Sequence, residues 1–100
     1  MTILAKKITA QNTGTDWLDM TAIPSPYKMD LSIDIGGTTV VQLQRKRAGE
    51  ADASARIVQS FSADFEGVAE GVGQWYWRLH CPTGSYNAET DVEIERASSP

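Results

Sequence analysis

Between Met29 and Ile35 apolar and polar residues alternate without a break, with Met29, Leu31, Ile33 and Ile35 set against Asp30, Ser32 and Asp34. A period of two sends alternate side chains to opposite sides of an extended chain, so this segment is a strand with one dry face and one wet face. The pattern returns where Trp75, Trp77, Leu79 and Cys81 interleave with Tyr76, Arg78 and His80, and again where Val92 and Ile94 lie between Asp91, Glu93 and Glu95. Strands wetted on one side belong to antiparallel sheets. The expected class is therefore all-β.

The remaining segments fit that class. Thr2 to Thr9, with Ile3, Ala5 and Ile8, predicts a first strand or extended arm, and QNTGTD from Gln11 to Asp16 has turn chemistry. Trp17 starts a short strand that IPSPY closes, because Pro24 and Pro26 remove backbone donors and hold Ile23 and Ser25 extended. Tyr27 to Ile35 is the first long strand. Gly36-Gly37 signals a tight turn into a hairpin partner over Thr38 to Arg47, with Val41, Leu43 and Arg45 on one face. Ala48 to Ala55 predicts an exposed loop, Arg56 to Phe61 a strand, and Ala63 to Gly73 a glycine-interrupted segment with Val68 directed into the core. Gln74 to Cys81 is the second long strand, Pro82-Thr83-Gly84 a turn, and Thr90 to Arg96 the last strand. That makes roughly six or seven strands about ten to twelve residues apart, the spacing of a single-domain, immunoglobulin-like antiparallel β-sandwich. Residues 1–28 form an N-terminal arm and proline-containing connection, 29–97 the sandwich body and 98–100 a short tail.

Composition narrows the function. A chain of 100 residues, 41% hydrophobic and 22% charged, folds as one domain without room for a two-lobed cleft. A formal charge of −4, with Arg45-Lys46-Arg47 as the one contiguous basic triplet, argues against nucleic acid as a partner and makes that triplet a solvated strand end. Cys81 is the single cysteine, so no internal disulfide forms and folding in a cytoplasm is expected. Two lysines break MTILAKKITA, which leaves neither a signal-peptide core nor a membrane-spanning segment.

Each candidate chemistry meets a simpler alternative. IDIGGTT, Ile33 to Thr39, matches the phosphate-contacting hairpin of sugar kinases, but no second phosphate or adenosine loop accompanies it, and two glycines are what a tight turn requires. His80, the one histidine, lies on the wet phase with Tyr76 and Arg78, and no spacing implies a triad around it. Cys81 falls on the dry phase, as a small core residue. Asp30 with Asp34, and Asp91 with Glu93 and Glu95, project in parallel along strands rather than converging on a cation, and are expected to pair with Arg45, Lys46, Arg78 or Arg96 across strands or to discourage edge-to-edge aggregation. Trp75 and Trp77 belong to the core. Tyr76 and Arg78 are the better contact residues. No catalytic residue, cofactor or metal is expected.

In order, the chain presents DLSIDIGGTTVVQLQRKR, SFSADFEGVAEGVG, WYWRLHC and PTGSYNAETDVEIERA. This layout resembles a group of small tailed-bacteriophage structural proteins over about two thirds of the chain, although AGEADASA stands where that group often carries an Asp-Gly-Gly turn. The resemblance implies a virion component, made in the host cytoplasm, that decorates or cements the capsid exterior or sits at the head-tail region. Its partner would be the major capsid protein, another virion protein or further copies of itself. The expected contact elements are the arm from Ile3 to Ile8, the segment holding Pro24, Pro26 and Tyr27, and the face around Tyr76 and Arg78. Two rival functions remain, a carbohydrate-binding adhesion module with an exposed aromatic platform and a small nucleotide-dependent enzyme built on IDIGGT.

Overall fold

Each alternating segment forms a two-faced strand, and the strands pack as two antiparallel sheets in a β-sandwich. The structure is a computed structural model and describes residues 3–97; Met1, Thr2 and the tail at 98–100 lie outside the described residues. In chain order the strands are β1 (Ile3–Ile8), β2 (Thr13–Gly14), β3 (Leu18–Asp19), β4 (Tyr27–Gly36), β5 (Val41–Lys46), β6 (Arg56–Phe61), β7 (Phe65–Gly71), β8 (Tyr76–Cys81) and β9 (Ala88–Arg96). One sheet has the order β1-β9-β4-β7 and the other β2-β8-β5-β6, with β3 also on β8.

That order corrects the immunoglobulin-like connectivity. An immunoglobulin-like sandwich would set its last strand beside β8, whereas β9 lies between β1 and β4 in the opposite sheet. With β2 and β3 taken as one interrupted strand along β8, the order is that of an eight-stranded jelly roll. The interruption is a bulge: between the pairs Gly14↔His80 and Leu18↔Trp77 the edge strand holds one residue more than β8. Thr15 bridges it, its amide donating to Leu79 O at 2.9 Å and its hydroxyl accepting from Leu79 N at 3.2 Å.

The hairpin expected at Gly36-Gly37 does not form. β4 pairs with β7 and β9, β5 pairs with β6 and β8, and residues 37–40 carry the chain across the end of the sandwich from one sheet to the other. A turn is present, closed by Thr39 N donating to Gly36 O at 3.1 Å with Gly37 at φ 56°. The chain leaving it is captured elsewhere. Thr39 is fully buried, its hydroxyl donates to Ala88 O and accepts from the amides of Asn87 and Ala88, and Val40 N donates to Ser85 O. A side chain at Gly36 would strike the backbone oxygen of Glu89. Gly36 therefore serves the close approach of β9 as well as the turn.

The core lies between the sheets, as the alternation requires. β4 and β9 contribute Met29, Leu31, Ile33, Val92 and Ile94; β5 and β8 contribute Val41, Leu43, Trp77, Leu79 and Cys81, each at most 3% exposed. Burying side chains of this size is worth about 1.5–3 kcal/mol apiece. Val68, expected to enter the core, is instead 53% exposed. Residues 65–71 form a strand whose inward phase is Phe65, Gly67, Ala69 and Gly71, and this leaves Glu66, Val68 and Glu70 outside.

Candidate functional site

The residues expected to make contacts divide between inside and outside. Ile3 is exposed at the start of β1, and Pro24 and Pro26 are exposed in the connection before β4, where Ser25-Pro26 is cis. Ile8 is fully buried under β9, because β1 is a paired strand of the first sheet rather than a projecting arm. Tyr27 is also buried: its hydroxyl accepts from Trp77 Nε1 at 3.0 Å and donates to Gly73 O at 2.7 Å. Both corrections have one cause. Each residue falls on the inward phase of a strand. Tyr76 and Arg78 do lie on the outer face of the second sheet, half-buried, with Arg78 Nε donating to Gln44 Oε1 at 2.9 Å. Ile3 and the Tyr76–Arg78 pair sit on opposite sheets, so they do not make one surface.

What the structure brings together is charge. On the outer phase of the first sheet β4 presents Asp30 and Asp34, β7 presents Glu66 and Glu70, and β9 presents Glu89, Asp91, Glu93 and Glu95. Lys7 and Lys28 are the cations on the same phase, and Lys7 pairs with Glu89 at 3.0 Å and Asp91 at 3.2 Å. The expected pairing of these acids with Arg45, Lys46, Arg78 or Arg96 does not occur, since among the described residues Asp30, Asp34, Glu93 and Glu95 have no cation within 4.0 Å. Register sets Asp34 directly opposite Asp91 and Asp30 directly opposite Glu95. Like charges so placed oppose folding. A shallow trough of about 550 Å³ lies at the Asp34–Asp91 pair, lined by Ser32, Asp34, Asp64, Glu66, Asp91 and Glu93 among others.

The opposite sign gathers around two tryptophans. The Arg45-Lys46-Arg47 triplet is split by the period of two. Arg45 and Arg47 each place Cζ 4.1 Å from the Trp75 ring centroid, while Lys46 Nζ lies 4.8 Å from that of Trp17. Arg56 joins the first group at 5.2 Å from Trp75, and Arg78 the second at 4.3 Å from Trp17. Each group holds a carboxylate. Asp52 accepts from Lys46 Nζ at 2.7 Å and Trp17 Nε1 at 3.0 Å, and these bonds hold its carboxyl below the usual range. Glu50 grips Arg56 with both oxygens and takes the Arg47 amide, which brings its pKa down to about 2. The guanidiniums of Arg45 and Arg47 have no carboxylate within 4.0 Å among the described residues, and Arg45 Nε is buried without a partner. Register also puts Arg45 directly opposite Arg56.

Sequence reasoning missed this grouping by reading the triplet as a uniform solvated end. The alternation places Arg45 on the face of Val41 and Leu43, and one step further, to Arg47, was the signal available.

The chemical candidates are all committed to structure. His80 is 7% exposed, its Nε2 faces Asn12 Oδ1 at 3.1 Å and its Nδ1 has no partner; burial, with Arg78 nearby, lowers its pKa to about 4. Among the described residues neither a serine nor a carboxylate bonds to it. Cys81 is buried, and burial raises its thiol. In IDIGGTT the amides of Ile35, Gly36, Thr38 and Thr39 donate to Asp64, Thr90, Asn87 and Gly36, so these four donors are not open to a phosphate. Among the described residues no group of three or more His, Cys, Asp or Glu side chains is arranged to hold a metal ion. No described helix is long and apolar enough to cross a membrane.

Comparison with protein-family models, curated proteins and solved structures finds no match to this chain.

Proposed function

We propose that the chain is a non-enzymatic structural protein of a tailed-bacteriophage virion that decorates or cements the capsid exterior through repeated protein-protein contacts. The observation that carries this is the separation of unpaired charge on a packed sandwich: among the described residues Asp30, Asp34, Glu93 and Glu95 have no cation on the outside of one sheet, and the guanidiniums of Arg45 and Arg47 have no carboxylate at one end of the other, while His80 Nε2 faces Asn12 and the glycine-turn amides donate within the chain. Charge kept unpaired at a folding cost favours a partner that neutralises it. Jelly-roll order recurs in viral capsid domains and in lectins. The layout shared with small phage structural proteins favours the first.

The tryptophans weigh against the lectin alternative. Trp77 is 1% and Trp75 7% exposed, and Trp17 has Lys46 and Arg78 against its ring, so no open aromatic platform is offered to a sugar. A head-tail position is the neighbouring alternative, and it requires the same contact chemistry at fewer copies. On a shell, many modest contacts repeated by symmetry sum to strong retention.

Co-sedimentation of the purified chain with undecorated heads of the phage that encodes it tests the proposal. Saturable binding in fixed proportion to the shell subunits, weakened by salt, is the expected result. A chain that stays in the supernatant at every concentration removes the decoration role.

A further inference from the structure

The two charged surfaces cannot neutralise each other within one molecule. β4 ends at Gly36 where the crossover to β5 begins, so Val41 shares the end of the sandwich that holds Asp34, and Arg47 lies at the far end. From Val41 to Arg47 the chain advances about 20 Å at about 3.4 Å per residue, well beyond a Debye length of about 8 Å at physiological salt. The surfaces also belong to different sheets. Yet they are complementary in kind: the guanidiniums of Arg45 and Arg47 without carboxylates at one end, and at the other a concave trough whose carboxylates Asp34, Asp64, Glu66 and Glu93 have no cation within 4.0 Å among the described residues, Asp91 being the one that holds Lys7. Planar guanidinium forks match carboxylates in geometry as well as charge. Every copy carries both halves, which is the requirement for a head-to-tail contact.

We infer that the chain associates with itself head to tail, the Trp75 arginine end of one copy, Arg45 and Arg47, seating in the Asp34–Asp91 carboxylate trough of the next. Such a contact gives a counter-charge to Arg45 and Asp34, the members of the like-charge pairs Arg45↔Arg56 and Asp34↔Asp91 that lack one, since Arg56 holds Glu50 and Asp91 holds Lys7. It is heterologous, so it builds a ring if its rotation closes and a row of copies if it does not. The inference rests on the same surfaces as the proposed function but requires no shell. Failure to bind heads leaves it standing, and its own failure leaves head binding untouched.

Sedimentation velocity of the full chain over a concentration series, at low and at high salt, tests it with two neutralised variants. One is Arg45→Gln with Arg47→Gln, backed by Arg47→Gln alone at an exposed position; the other is Asp34→Asn with Asp91→Asn. The parent is expected to sediment faster as concentration rises at low salt and as a monomer at high salt, and each variant as a monomer throughout. Mixing the variants leaves one intact contact per pair, so the mixture is expected to stop at two copies. The asparagine variant is also expected to melt at a higher temperature than the parent, which separates lost association from lost folding. A parent that is monomeric at low salt, a variant that associates like the parent, or a monomer whose arginine end instead captures duplex DNA would each overturn the inference.

Discussion

The hydroxyl of Thr39 accepts from the amides of Asn87 and Ala88 and donates to the Ala88 carbonyl, all at 2.9–3.0 Å and out of reach of water. Thr39→Val keeps the shape and removes the partners, leaving buried amides unmatched at a cost of about 3 kcal/mol. Chemical denaturation measures this, and a loss below about 1 kcal/mol would mean the corner is held by something else. His80 gives a pH signature. Unfolded it has its ordinary pKa near 6.5, while in the fold its pKa is about 4, so between these values the unfolded chain binds the extra proton. Stability therefore falls as pH drops through that window, by up to about 3 kcal/mol, and the loss is complete below the folded value. His80→Gln is expected to flatten the slope between pH 6.5 and 4, since no other histidine titrates there. An unchanged slope in denaturation midpoints would refute this assignment. Glu50, Asp19 and Asp52, whose pKa values are depressed, add a separate loss at lower pH.

At the scale of elements, the long strands were legible because each faces the core on one side only. Met29 to Ile33 and Trp75 to Leu79 carry their burial pattern in their letters, whereas His80, read on the wet phase, is buried where Asn12 and Gly14 lie against it. Connections were not legible, because a two-glycine turn looks the same whether the chain returns in its own sheet or crosses to the other. What decided it at Gly36 was Thr39 meeting Asn87 and Ala88, a contact nearly fifty residues away in sequence. β7 was missed for a related reason: glycines at 67 and 71 weaken a strand signal, and here Gly71 gives way to the Tyr27 ring. The charged surfaces were half legible, since the acids on β9 and β4 could be read but not the register that sets Asp34 against Asp91. Strand order also ranks local stability. β6 bonds to β5 alone and bulges at Val58, whereas β4 and β5 are bonded on both sides. Amide exchange is expected to be fastest in β6 and slowest in β4 and β5. Equal protection of β6 and β5 would show a covered edge.

For the whole molecule, a sandwich of 37 × 29 × 19 Å with a filled core offers surfaces rather than a cleft. Its net charge of −4 hides a division, acidic on the outside of one sheet and cationic around Trp75 at one end of the other. Such a division steers and orients partners more than it tightens them, which suits the proposed retention through repeated contacts. The most direct measurement is a density map of the virion in which the proposed role places this chain. The account calls for a repeated density of these dimensions on the shell or at the head-tail junction, with the carboxylate trough or the Trp75 arginine end at a protein contact. Virions that lack it, or a bound copy whose two charged surfaces both face solvent, would contradict the account.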